Sequence, residues 1–136
     1  MKPLSLFLLF TFLAGCASAP PLAPGIAGLY QLETMDGAPL PSSTNVVEGT
    51  LQLRANRTFT WRFAMAAGVN GQEQAPIVFE GRFTVEEDAS EGLLIRLTRQ
   101  DENTSFGAPS ERIDGRLVGS TLSFATPDLT AVFRRR

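Results

Sequence analysis

The chain has 136 residues, room for one domain of ordinary size. It has no histidine, and its single cysteine and single lysine are Cys16 and Lys2. This excludes a Ser-His-Asp triad, a Cys-His pair, a His-ligated zinc site and any Schiff-base lysine beyond Lys2. A net charge of -2 gives no electrostatic reason to bind nucleic acid, and 43% hydrophobic with 19% charged residues is a globular balance.

The N-terminus reads as an address. Lys2 supplies a positive charge, and residues 4–14 follow as an uncharged apolar run. At about 1.5 Å per residue this run is too short to cross a bilayer core of about 30 Å. It suits the hydrophobic region of a secretory signal. The run ends in Leu13-Ala14-Gly15-Cys16. These residues resemble the lipobox of bacterial lipoproteins, which implies lipid on the Cys16 thiol and removal of residues 1–15. The lone thiol agrees, because it has no second cysteine to pair with. Several acyl chains anchor stably where one does not. Ala17, following the acylated cysteine, implies by the same resemblance the outer membrane of a double-membraned cell. The alternative is an ordinary signal peptide cut near Ala17-Ser18-Ala19, which leaves a soluble exported protein. Residues 17–27 carry three prolines and no charge, and read as a semi-extended tether. The expected organisation is a signal at 1–15, an acylated cysteine with its tether at 16–27, and one domain at 28–136.

Within that domain no 3.6-residue period is sustained, and alternation with period two recurs. Eight strands are expected, each bounded by turn residues. The first covers 29–34, with Tyr30 and Leu32 on one face, and residues 35–41 make a turn-rich connection. The second covers 46–54, with Leu51 and Leu53 inward. The third, 58–65, alternates most cleanly: Phe59, Trp61 and Phe63 point one way, Thr58, Thr60 and Arg62 the other. A polar loop at 66–75 leads to the fourth strand, 76–86, with Ile77, Phe79, Phe83 and Val85 inward around Gly81. The fifth, 93–99, turns Leu93, Ile95 and Leu97 inward. A loop at 100–110 precedes the sixth, 111–118, which offers Ile113 and Leu117. Gly119-Ser120 is a two-residue hairpin turn. The seventh, 121–126, carries Leu122 and Phe124, and the eighth, 130–135, Ala131 and Phe133. Short consecutive strands with hairpin-length links favour an all-β, up-and-down antiparallel meander. Closure removes exposed edges, so an eight-stranded barrel is expected, with a two-sheet sandwich as the alternative.

Three segments carry a further resemblance. Gly28-Leu29-Tyr30 opens the first strand, Asp36-Gly37-Ala38-Pro39-Leu40-Pro41 follows, and a later strand enters through Asn56-Arg57-Thr58-Phe59. The chain closes with Val132-Phe133-Arg134-Arg135. Over residues 28–135 this is similar to a group of small bacterial lipocalin-like proteins, often exported or lipid-anchored. Lipocalins open with Gly-x-Trp and cover that Trp with an Arg from the last strand. Tyr30 stands at the Trp position here, and the resemblance implies Arg134 or Arg135 as the covering residue.

The aromatic face is the leading candidate site. Tyr30, Phe59, Trp61, Phe63, Phe79, Phe83, Phe124 and Phe133 are expected to line the interior, where they form a pocket for a small apolar ligand or fill the core. The number of large inward side chains favours filling, and the lipocalin resemblance favours a ligand. Glu86-Glu87-Asp88 with Glu91 lacks the spacing of a calcium loop and reads as a solvated hairpin tip, as does Asp101-Glu102-Asn103. Glu80 is expected to point outward toward Arg62 or Arg82. Arg134-Arg135-Arg136 reads as a solvated tail rather than a headgroup contact. No catalytic residue, metal or cofactor is expected. The expected partners are the membrane, through Cys16, and a small apolar molecule. The rival expectation is a packed scaffold whose loops at 66–75 and 100–110 contact another envelope protein.

Overall fold

A computed structural model describes residues 20–41, 45–88, 92–100 and 112–136. Among them lie nine strands. Five belong to the first part of the chain: β1 (Gly28–Met35), β2 (Ala38–Pro39), β3 (Val46–Leu53), β4 (Thr58–Met65) and β5 (Ile77–Glu87). Four follow: β6 (Leu93–Arg99), β7 (Arg112–Val118), β8 (Thr121–Ala125) and β9 (Thr130–Arg135). From β3 to β9 each strand pairs antiparallel with the next, β1 pairs with β3, and β9 returns to β1. The result is a closed up-and-down barrel of eight strands plus the short β2, the expected barrel rather than the alternative two-sheet sandwich. Every barrel strand finds two neighbours, so no long edge is left to template association.

The departure from expectation is β2, which lies inside the segment read as a connection. Asp36 and Gly37 both take positive φ, 52° and 78°, as a type I′ hairpin turn demands. Met35 therefore faces Ala38, and Thr34 faces Pro39. The space for β2 arises because β3 pairs with β1 only as far as Gln31↔Thr50.

Two bulges correct the inward phase. The β1–β9 register shifts between Leu32 and Thr34, so Met35 rather than Thr34 is buried beyond Tyr30 and Leu32. A second shift, between Val46 and Glu48, buries Val46 and leaves Val47 42% exposed. Each bulge inserts one residue, and with a side-chain period of two that exchanges the faces. Ile77 also departs from its inward reading, being 43% exposed. The β5–β6 ladder stops at Gly81↔Arg99, so Ile77 has β4 beside it but no β6 to cover it.

The barrel has a base, where β1 begins and β9 ends, and a mouth, where β5 begins and the β8–β9 turn lies. At the base, the end of residues 20–27 meets the barrel. Ile26 is 3% exposed and Leu22 packs against the core. Arg57 Nη2 donates to Pro20 O at 2.7 Å, and Arg135 Nη2 donates to Ala27 O at 2.9 Å. Two apolar side chains in an otherwise Pro/Ala-rich segment find the open barrel end and bury there, which composition alone does not reveal. Residues 17–19, the lipobox and Cys16 lie outside the described residues. Of the two candidate covering arginines, Arg135 is the one at the base beside Tyr30, while Arg134 Nε meets Glu33 Oε1 on the outer face at 2.8 Å.

Tyr30 is fully buried, and its hydroxyl donates to Ile26 O at 2.7 Å. Burial pushes the phenol above the ordinary tyrosine value of 10.0, and the nearby Arg135 charge opposes this. The folded state thus binds this proton more tightly than the unfolded chain does. Its contribution is fully present below pH 10.0 and is lost as pH rises through the elevated folded value. Thermal melts between pH 8 and 11 should show stability falling above about pH 10. Tyr30→Phe should cost about 1–2 kcal/mol at neutral pH through the stranded Ile26 carbonyl. It should also remove that part of the alkaline loss. An identical alkaline slope in Tyr30→Phe would show that this phenol is not the group responsible.

The outer face of β5, β6 and β7 carries ion pairs. Arg96 contacts Glu86 at 3.0 Å and Asp114 at 3.1 Å, Arg112 contacts Asp114 at 3.2 Å, and Arg116 contacts Asp88 at 2.7 Å. The Arg112 hydrogen bond holds the Asp114 carboxyl below its ordinary range. These groups are solvent-exposed, where such pairs contribute little.

Candidate functional site

Side-chain alternation along β4 sends Phe59, Trp61 and Phe63 to the barrel interior, each 5% exposed or less. Across the ladder Trp61 faces Phe79 of β5 on one side and Leu51 of β3 on the other. Toward the base and centre these rings meet a solid core. The Trp61 ring centroid lies 5.1 Å from that of Phe124 and 5.3 Å from that of Phe133, with the latter pair edge-on at 84°. Phe124 and Phe133 are themselves edge-on at 6.0 Å. Tyr30, Phe83, Phe124 and Phe133 have essentially no exposed surface.

Toward the mouth the packing opens. A cavity of about 130 Å³ is lined by Phe59, Trp61, Phe63, Phe79, Leu97, Arg99, Ile113 and Leu129. Its wall is chiefly ring and aliphatic carbon. Phe63 and Phe79 stand edge-on at 6.4 Å, and the Arg99 guanidinium carbon lies 4.5 Å above the Phe79 ring. That cation–π contact places a charged head beside an apolar lining and fixes the Phe79 ring at the rim. Trp61 is 2% exposed, yet its indole Nε1 has no hydrogen-bond partner among the described residues. A buried donor left unpaired costs about 1–3 kcal/mol, and this one, with essentially no accessible surface, is sealed within the packing rather than facing the cavity.

The eight aromatic residues singled out in the sequence therefore divide. Phe59, Trp61, Phe63 and Phe79 come together around the cavity, whereas Tyr30, Phe83, Phe124 and Phe133 fill the rest of the interior. Four lining residues were missed as site residues: Leu97, Ile113, Arg99 and Leu129. Arg99 had a readable signal, since it shares the inward phase of Leu93, Ile95 and Leu97. Leu129 had none, because it enters from the β8–β9 turn.

The acidic candidates have other occupations. Glu86 and Asp88 are tied to Arg96 and Arg116 rather than simply solvated, and Glu91 and residues 101–103 lie outside the described residues. Glu80 lies opposite Thr60 and accepts a hydrogen bond from its Oγ1 at 3.4 Å, in place of the expected Arg62 or Arg82. Among the described residues no three metal-ligating side chains gather in one place.

Comparison with protein-family models, with curated proteins and with solved structures yields no match. Fold and site together define a closed antiparallel β-barrel with a packed base and a small apolar cavity at its mouth.

Proposed function

We propose that this chain is a non-catalytic binding module of a bacterial cell envelope, anchored through lipid on Cys16, whose barrel holds a small apolar or amphipathic molecule. The cavity at the mouth is the observation that carries the reading. It has carbon walls with the Arg99 cation at the rim, the arrangement of a site that buries an apolar body beside a polar group. The Leu13-Ala14-Gly15-Cys16 segment supports the anchor, and Ala17 supports the outer membrane.

Titration followed by Trp61 emission tests the binding. Trp61 is the only tryptophan, so every change reports on the cavity wall. A saturable shift on adding a small hydrophobic probe is expected. Emission that is blue-shifted, unquenched by iodide and unchanged by every such probe would remove the reading. It would leave a packed scaffold that meets another envelope protein through its loops. That second reading draws on the solid core around Phe83, Phe124 and Phe133, and on Val69, which is fully exposed in the loop between β4 and β5.

Cys16→Ser should release the protein from the membrane fraction, because the thiol is the sole lipid acceptor. A processed Cys16→Ser form that still sediments with membranes would refute the anchor. The base contacts add an orientation to this reading. Pro20 is held by Arg57 and stands only four positions after Cys16 in the chain. The base then faces the membrane and the mouth faces away.

A further inference from the structure

We infer that the base of the barrel is a docking surface for an anionic lipid bilayer, read by Arg54, Arg57, Arg135 and Arg136. The inference rests on the lipid anchor proposed above and adds a second, electrostatic attachment beside it.

Charge is segregated along the barrel axis. Arg54 and Arg57 flank the turn from β3 to β4, and Arg135 and Arg136 close β9. β1 lies between these two strands and pairs with both, so the four arginines form one arc at the base. Arg136 is placed there by its backbone N–H, which donates to Leu29 O at 3.0 Å. The mouth carries exposed acids instead: Asp36 after β1, Glu48 on β3, Glu73 in the β4–β5 loop and Asp128 in the β8–β9 turn. These outnumber the cations of the mouth half, Arg62 and Arg99. A chain of net charge -2 thus presents, among its described residues, a positive end and a negative end. A negative surface attracts the first and repels the second.

The base cations also keep their charge. On the outer wall Arg96, Arg112, Arg116 and Arg134 each meet a carboxylate. Among the described residues none of the four base arginines does so. Arg54 donates to Thr60 Oγ1, Arg57 to Pro20 O and Arg135 to Ala27 O, all neutral acceptors. The described acids at this end stand on the opposite side of the barrel, at the β5–β6 tip. There Glu86 and Asp88 are paired with Arg96 and Arg116, so Glu87 alone offsets the arc.

Chain geometry brings this end to the membrane. Arg57 Nη2 holds Pro20 O at 2.7 Å, and Cys16 precedes Pro20 by four positions. At about 3.6 Å per residue at most, those positions reach no farther than about 14 Å. A lipid on Cys16 therefore keeps the arc close to the headgroups. An arginine near an anionic surface contributes about fivefold in affinity, the equivalent of about 1 kcal/mol.

Vesicle partition tests this on the full chain carrying Cys16→Ser, so that no acyl chain contributes. Partition is measured at low salt onto phosphatidylglycerol and onto phosphatidylcholine. The apolar run at residues 4–14 enters both measurements, so their ratio reads charge. Arg54→Gln should lower the ratio about fivefold, and Arg54→Gln with Arg136→Gln about twenty-fivefold. Both side chains are exposed, so the fold tolerates the exchange. Arg62→Gln removes the same charge four positions along β4 from Thr58, about 13 Å at the strand rise. That exceeds a screening length of about 10 Å, so this variant should stay within about twofold of the parent ratio. High salt should erase the preference for phosphatidylglycerol. If the base variants leave the ratio unchanged, or if Arg62→Gln lowers it as much as Arg54→Gln does, the docking inference is overturned. The anchor reading is judged separately, by whether Cys16→Ser leaves the membrane fraction of the cell.

Discussion

Trp61→Ala is expected to cost about 3–5 kcal/mol of stability, the range for removing a large aromatic side chain from a packed core. For a domain of this size that is roughly 12–20 °C in Tm. The reason is position. Trp61 forms the floor between the packed half of the barrel and the cavity, touching Phe63, Phe124 and Phe133 at centroid separations of 5.1–5.3 Å. Truncation joins the new void to the existing cavity, and strands paired on both sides of β4 cannot collapse into it. The unpaired Nε1 leaves with the ring and returns part of its own cost, which places the expected loss in the middle of the range. Urea denaturation checks it. A loss below about 1.5 kcal/mol, with an unchanged dependence on denaturant, would mean that the ring is not the floor of a packed core.

Gly81→Ala should be nearly as damaging, at about 3 kcal/mol, for the opposite reason. Gly81 lies between Phe59 of β4 and Arg99 of β6 in the ladder. A Cβ built there falls onto the Thr98 carbonyl oxygen, nearer than real Cβ contacts come, and lies 2.9 Å from Phe59 Cε1. The Phe59 ring has some freedom to turn. The Thr98 carbonyl belongs to the backbone of a neighbouring strand and does not. Overpacking of this kind typically costs 1–3 kcal/mol, and a backbone obstacle takes it to the upper end. Gly68→Ala is the control. Its nearest neighbours stand at ordinary contact distance, 3.5 Å and beyond, so it should stay within about 0.5 kcal/mol of the parent chain. A Gly81→Ala chain within 1 kcal/mol of the parent would show that the β5–β6 spacing adjusts by more than the ladder implies.

Both substitutions act on the strand pair whose pattern was plainest in the sequence. Thr58-Phe59-Thr60-Trp61-Arg62-Phe63 alternates without a fault, and β4 runs from Thr58 to Met65 as that alternation requires. The strands at 93–99 and 130–135 were legible for the same reason: one face of each must leave water, and a period of two assigns that face residue by residue. Closure was favoured too, because pairing the last of the consecutive strands with the first removes exposed edges, although a two-sheet sandwich fitted the same strand pattern. The Asp36-Gly37 turn was readable in principle, since Asp-Gly is a strong hairpin signal. A two-residue return strand is too short to show any period, and β2 escaped notice on that account.

What the sequence by itself determined, then, is which face of each strand avoids water, and from that the antiparallel barrel. Tertiary structure alone decided how completely that barrel fills. Each aromatic side chain on the inward face looks alike in the sequence, because burial preference is a local property. Whether a given ring meets another ring or a space depends on where the ladders stop, and that is set by long-range register. The β5–β6 ladder ends at Gly81↔Arg99, which uncovers Ile77 and opens the mouth beside Phe79 and Phe63. At the other end Ile26 and Arg135, 109 positions apart in the chain, close the base through contacts that no local pattern encodes. The same physics that buried Tyr30 and Phe133 left Trp61 Nε1 without a partner among the described residues, because a hydrophobic pattern records how much carbon leaves water and is silent on where each buried donor must point.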